Sequence, residues 1–309
     1  MIDPRYRSQV DLLLSIIPLV AREKQLALKG GTAINLFVRD LPRLSVDLDL
    51  HYIGFEDRET ALSNIHQIVE RLSVKITQAI PGIRVQPVAG GDGLDVKLNC
   101  QLAGAQVKVE INMTTRGVLY PVKTLTVTDR VQEEFSKFAA MPVVSFAELY
   151  GGKICAALDR QHPRDLFDVY LLLKNGGITD EMKNAVLAFT LSHRRTIHDV
   201  LFPNYLDQRQ AYDQQFQGMS TIPFSYADYE QTRIELISTM HQLITDQDKT
   251  FLLSFKNCEP EWNLFPEENI RNLPALKWKL QNLQNLKASN PVKHRAMLKE
   301  LAEKLESIG

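Results

Sequence analysis

A glycine pair stands between a short apolar run and a segment in which acidic and apolar residues alternate, and this order restricts the fold more than anything else in the chain. Leu26-Ala-Leu-Lys29 has the composition of a strand and stops at Gly30-Gly31. Residues 32 to 39 are composed as a helix, and residues 43 to 53 alternate with the period of two of a strand. The predicted order is therefore strand, glycine turn, helix, strand. Asp47 and Asp49, two apart, leave the second strand on one face. Two such carboxylates repel each other on a buried face unless a cation joins them, so either a divalent ion binds there or the face is wet. Glycines at the turn let backbone N–H groups and a helix N-terminus come close to a triphosphate.

Downstream, residues 57 to 79 form a second amphipathic helix after the one predicted over 8 to 25. Residues 94 to 102 and 106 to 113 alternate on either side of Ala103-Gly104-Ala105, the pattern of a hairpin. In its second arm Val107, Val109 and Ile111 face a core, while Lys108, Glu110 and Asn112 face the other way. If that arm neighbours the Asp47 strand, Glu110 converges with Asp47 and Asp49. Two metals held by three carboxylates would suit phosphoryl transfer. From Phe146 onward the periodicity is helical, over 146 to 160, 164 to 174, 179 to 191, 226 to 246 and 290 to 307. The expectation is a mixed α+β chain. A first domain of helices and a small mixed sheet is expected over 1 to 140, and an all-helical domain over 141 to 309.

At 309 residues the chain has room for two domains. With 44% hydrophobic and 24% charged residues it is neither disordered nor fibrous. A formal charge of −1 means that any nucleic acid must be held by local patches, for which Arg194-Arg195 and the lysines of 277 to 287 around Trp278 are candidates. Cys100, Cys155 and Cys258 have neither zinc nor disulfide spacing, which fits a reducing cytoplasm. Residues 1 to 7 lack the layout of a signal peptide, and no run approaches the roughly 20 apolar residues of a membrane span. The expectation is a soluble protein without membrane contact. His51 shares the face of Asp47 and Asp49 but is read as a neighbour, and His193 and His198 lie five apart, the wrong helical spacing for one metal. Cys155 is read as a packed small residue.

Leu28-Lys-Gly-Gly-Thr-Ala-Ile34 with Arg43-Leu-Ser-Val-Asp-Leu-Asp49 resembles the first motif of the nucleotidyltransferase superfamily with the DNA polymerase β-like fold. Within it, the AbiEii/AbiGii-type toxins, which include the MenT toxins, are the branch most similar. Glu148-Leu-Tyr-Gly-Gly-Lys-Ile154, Arg160 and Arg164-Asp-Leu-Phe-Asp168 are similar to that branch's helical motifs. The likeness is firm over about 25 to 175, and the segment 251 to 262 resembles a less diagnostic one. The spacing from Gly31 to Asp47 is longer than in the superfamily at large, and Glu110 stands where Asp is commoner.

The resemblance implies Mg²⁺ or Mn²⁺ on Asp47 and Asp49, with Glu110 in a lesser metal role, and nucleotide contacts from Gly30, Gly31, Thr32 and Ser45. It gives Lys153 the triphosphate, with Asp165 and Asp168 orienting either Lys153 or the nucleotide. It also implies transfer of a nucleoside monophosphate from an NTP to an RNA acceptor, the tRNA 3′ end, and a cognate antitoxin as partner. A protein hydroxyl or a small molecule as acceptor, or a silent partner-binding protein, are the alternatives. An intact carboxylate set speaks against the last.

Overall fold

The computed structural model describes residues 4–89 and 95–308. The chain separates into two compact units, one of Met1–Ser145 with Gly218–Pro223, the other of Phe146–Gln217 with Phe224–Gly309. The division read near 140 falls at the start of a strand that belongs to the first unit. Leu94, the expected first residue of the hairpin, lies outside the described residues, as do residues 1 to 3 of the N-terminal reading.

The first unit holds a mixed seven-stranded sheet. Its strands are β1 (Leu26–Lys29), β2 (Asp47–Tyr52), β3 (Arg84–Ala89), β4 (Asp95–Leu102), β5 (Ala105–Asn112), β6 (Lys123–Thr126) and β7 (Ala140–Val143), in the order β3-β4-β5-β2-β1-β7-β6. β2 runs parallel to β5 and β1 parallel to β7, and the other pairs are antiparallel. Helices α1 (Pro4–Val20) and α3 (Arg58–Ala79) pack against the sheet, where Leu48, Leu50, Leu98, Val107, Val109 and Ile111 are buried. Between β1 and β2 lies α2 (Gly30–Thr32), continued by a π-helical turn, Ala33–Val38. Helix α3 starts where Asp57 caps Thr60 N at 3.0 Å. A further helix, α4 (Asp129–Phe135), precedes β7.

Two expectations are corrected here. The strand read over 43 to 53 begins only at Asp47, because residues 42 to 44 pair elsewhere. Leu44 N donates to Met219 O at 3.1 Å, Thr221 N donates to Pro42 O at 2.9 Å, and Arg43 bridges Ser220. The chain thus returns from beyond residue 217 to strap the entry of β2. The N-terminal helix ends at Val20 rather than 25, since Leu26 N turns back to Glu23 O on the way into β1.

The second unit is helical among its described residues: α5 (Phe146–Arg160), α6 (Pro163–Lys174), α7 (Asp180–Ser192), α8 (Ile197–Leu201), α9 (Arg209–Gln215), α10 (Tyr226–Leu243), α11 (Asp246–Lys256), α12 (Pro274–Ser289) and α13 (Pro291–Glu306), with two short 3₁₀ turns. The single helix read over 226 to 246 ends at Leu243. Thr245 and Asp248 form a capping box that starts a new helix, and buried Lys183 holds Asp248 at 2.7 Å.

Helices α5 and α7 approach closely at Gly151. A Cβ there would lie 2.5 Å from Ala185 Cβ and 3.0 Å from backbone, whereas at Gly152 the nearest atom is the Phe189 ring at 3.5 Å. Gly151→Ala should therefore cost about 1–3 kcal/mol by overpacking. Gly152→Ala should be neutral or stabilising by up to about 1 kcal/mol through helix propensity. Urea unfolding of both variants checks this; equal effects would contradict the close approach.

Candidate active site

Gly30 ends β1 with φ +75°, a conformation that admits glycine without strain. A Cβ on it would meet Asp49 Oδ2 at 2.5 Å, and one on Gly31 would meet Arg43 Nη2 and Ser45 Oγ, each at 2.8 Å. The missing side chains are what allow the turn to lie against the carboxylate strand. Asn35, fully buried, fastens it by donating to Gly31 O at 2.8 Å. The Thr32 hydroxyl bridges the Asp47 carbonyl oxygen at 2.5 Å and the Ser45 hydroxyl at 3.1 Å. Thus Gly30, Gly31, Thr32, Ser45, Asp47 and Asp49 are brought together. No side chain caps the start of α2, so its first N–H groups remain suited to an anion.

Register explains the face. Lys29 of β1 stands opposite Asp49, and Asp49 stands level with Glu110 on β5. Asp47 and Asp49 are half-buried while Leu48 and Leu50 between and beyond them are in the core. Two half-buried carboxylates on one face, beside a turn with no Cβ, offer the hard oxygen donors that a divalent cation takes. β5 is indeed the neighbour of β2, yet Glu110 pairs with Lys97 of β4 at 2.8 Å. No group of three His, Cys, Asp or Glu side chains is gathered closely enough to hold a metal ion among the described residues.

Two cations escape a reading by motif alone. Arg43, 3% exposed, is held by its bond to Leu44 O at 2.9 Å and reaches the Gly31 position. Lys29 belongs to the carboxylate row. Burial lowers its pKa, while Asp49 and Glu110 pull it back up. Only the antiparallel register reveals this, because spacing within β1 says nothing about β2. His51, read as a neighbour, is buried with Nε2 2.5 Å from Gly117 O. Burial, aided by the Lys29 charge, lowers its pKa to about 4, so it is neutral at pH 7.

In the helical unit, Lys153 on α5 is 8% exposed and lies between Asp165 Oδ1 at 2.8 Å and Asp168 Oδ2 at 3.1 Å, both on α6. Arg160 Nε reaches the other oxygen of Asp165 at 2.6 Å. The two aspartates therefore fix the position of Lys153. Burial pushes the Asp165 carboxyl up, but Lys153 and Arg160 more than offset it and hold the carboxyl well below its usual range. Cys155 is buried, and burial pushes its thiol up to about 12, as a packed rather than reactive residue requires.

The basic clusters fare differently. Lys279 Nζ donates to the backbone oxygens of His193 at 2.6 Å and Arg195 at 3.1 Å. Lys287 holds Asn257 O, and Arg195 pairs with Asp159. Lys279 and Lys287 thus close the ends of helical segments, while Arg194, Arg195 and Lys277 are exposed. His193 and His198 face separate acids, Asp159 and Glu300.

The model of the nucleotidyl transferase AbiEii toxin family, type IV toxin–antitoxin systems, matches residues 11–282. The chain belongs to the AbiEii family. It is a nucleotidyltransferase toxin, which implies an NTP substrate and an antitoxin partner; nucleotidyltransferases of this kind use a divalent metal. The structure is similar to MenT4, a nucleotidyltransferase toxin of Mycobacterium tuberculosis, with a TM-score of 0.61 and 17% identity over 90% of this chain and 93% of that one. No curated protein matches it in sequence. Among the described residues of this AbiEii protein, no helix is long and apolar enough to cross a membrane.

The depressed pKa of Asp165 gives a signed expectation. Its contribution to stability is complete above the ordinary Asp value of 3.8 and is lost as pH falls below it. Asp165→Asn should destabilise by about 3–5 kcal/mol at neutral pH, since it leaves buried Lys153 short of a partner. The gap to wild type should shrink below that value. Urea titrations at a series of pH values read the gap directly; a gap that does not change with pH would mean that the loss is not tied to ionisation of Asp165.

Proposed function

We propose that this AbiEii protein transfers a nucleoside monophosphate from an NTP to the 3′ end of an RNA, tRNA being the acceptor that the family resemblance implies. The observation that carries the reading is the packing of the Gly30-Gly31 backbone against Asp49, Arg43 and Ser45 on one polar sheet face. The acceptor is the part taken from resemblance. In the cell, a reducing cytoplasm is where such an RNA would be met.

Asp47 and Asp49 would hold Mg²⁺ or Mn²⁺, with Glu110 able to join once released from Lys97. A divalent ion there would polarise the α-phosphate and screen the charge of the departing pyrophosphate. The α2 N-terminus, Thr32, Ser45 and Arg43 would bind phosphate oxygens and orient the triphosphate. The family resemblance would give Lys153, held by Asp165 and Asp168, the β- and γ-phosphates. The RNA 3′-oxygen would bond to the α-phosphorus as the bond from that phosphorus to the bridging oxygen breaks. Pyrophosphate would leave with the electron pair, and the hydroxyl proton would pass to the acidic pair.

The test is to incubate the protein with Mg²⁺, total tRNA and each α-labelled NTP in turn, beside Asp47→Ala and Lys153→Ala. Label in tRNA that falls at least about hundredfold in both variants is expected, and the productive NTP names the base. Label on protein or on a small molecule instead would replace the RNA acceptor. Label nowhere, with every NTP, would leave a binding protein that keeps the fold.

A further inference from the structure

We infer that a pocket on the helical unit, lined by Tyr205, Asp207, Arg209, Tyr226 and Arg233, receives an unstacked base of single-stranded RNA. The inference rests on the RNA-acceptor reading and names a second place where that RNA is held. The cavity measures about 430 Å³ and is bordered also by Glu230. No proposed nucleotide contact lies in it.

Two stacks are already assembled around this space. In one, the rings of Tyr229 and Tyr226 lie 25° from parallel with centroids 5.0 Å apart, and the Arg209 guanidinium sits 3.7 Å over Tyr226. Tyr229 is buried and anchored by its hydroxyl, which donates to Gln161 O at 2.9 Å. In the other, Arg233 lies 4.4 Å from the ring centroid of Tyr205. Arg233 is 7% exposed and pinned by Nη1 to Leu206 O at 2.8 Å, whereas Tyr205 is 57% exposed. A cation fixed beneath an exposed ring holds that ring in place before any ligand arrives, so less ordering is left to binding. Bases of single strands stack on such rings and on guanidinium planes.

The polar groups favour a base over a bare phosphate. Two arginines are balanced by Asp207 and Glu230, so the pocket has no excess of positive charge. The Arg233 guanidinium lies against the Tyr205 and Tyr229 rings, while the Arg209 side chain is exposed at the pocket. Asp207 accepts from Arg209 N at 2.9 Å and from the Tyr226 hydroxyl at 3.3 Å through one oxygen. An exposed guanidinium beside carboxylates able to accept matches a base edge, which carries both donors and acceptors. An apolar peptide side chain would use neither kind of group.

The experiment uses full-length protein, no NTP, and an RNA hairpin with a short single-stranded 3′ end carrying 2-aminopurine at each single-stranded position in turn. Binding should quench the probe at one position. Tyr205→Ala should raise Kd roughly five- to hundredfold, the range of one lost stacking contact. Arg209→Lys, which keeps the charge and loses the plane, should also weaken binding, and Tyr205→Trp should retain it. Thermal melts establish that each variant folds. Equal affinity for an RNA abasic at the quenched position, or unchanged quenching in Tyr205→Ala, overturns the inference. A transfer assay separates the two layers. If wild type labels RNA and Tyr205→Ala does so equally at limiting RNA, the base site falls and nucleotidyl transfer stands; if wild type labels no RNA, the acceptor reading falls.

Discussion

Everything at the carboxylate site depends on one close approach, that of the β1–α2 turn to β2. With any side chain at Gly30 the turn would run into the Asp49 carboxylate, and with one at Gly31 it would displace Arg43 and Ser45. Because both are glycine, the backbone itself forms one wall of the site, and the start of α2 is free to meet an anion. The antiparallel register of β1 on β2 then adds Lys29 to the row that holds Asp49 and Glu110. A positive charge in that row offsets part of the repulsion between carboxylates that the fold places side by side.

The entry to β2 is held from a distance in sequence. Met219, Ser220 and Thr221 pair with residues 42 to 44, just ahead of Ser45 and Asp47. The chain on both sides of this strap belongs to the helical unit, so the first unit is not assembled from the first part of the chain alone. In the helical unit the same economy of charge recurs in buried form. Lys153 is positioned by two aspartates, one of which is shared with Arg160. Without these partners a lysine at 8% exposure would carry an uncompensated buried charge.

Much of the architecture could be read from local pattern. The glycine turn between β1 and α2, the hairpin of β4 and β5, and the helix at Phe146–Arg160 each announce themselves by period and punctuation. What escaped is what tertiary contacts decide. β3 is an edge strand with Pro87 and little burial, and β6 and β7 have four residues each, too few to show alternation. The break between α10 and α11 was present as Thr245-x-x-Asp248, but apolar spacing continues across it. Pairing of residues 42 to 44 with the strap leaves no mark in either segment. At the site, the motif residues were legible because chemistry restricts their type. Lys29 and Arg43 were not, since their roles follow from register and from the space left by two glycines. Lys279 and Lys287 bind backbone carbonyls at helix ends, a use that charge counting along the sequence does not reveal.

The central claim is that bond breaking occurs at the α-phosphate of an NTP. The fate of the γ-phosphate tests it most directly. Purified protein, Mg²⁺, RNA and an NTP labelled at the γ-position should yield labelled pyrophosphate and an unlabelled acceptor. Label found on the acceptor, or released as orthophosphate, would contradict nucleotidyl transfer.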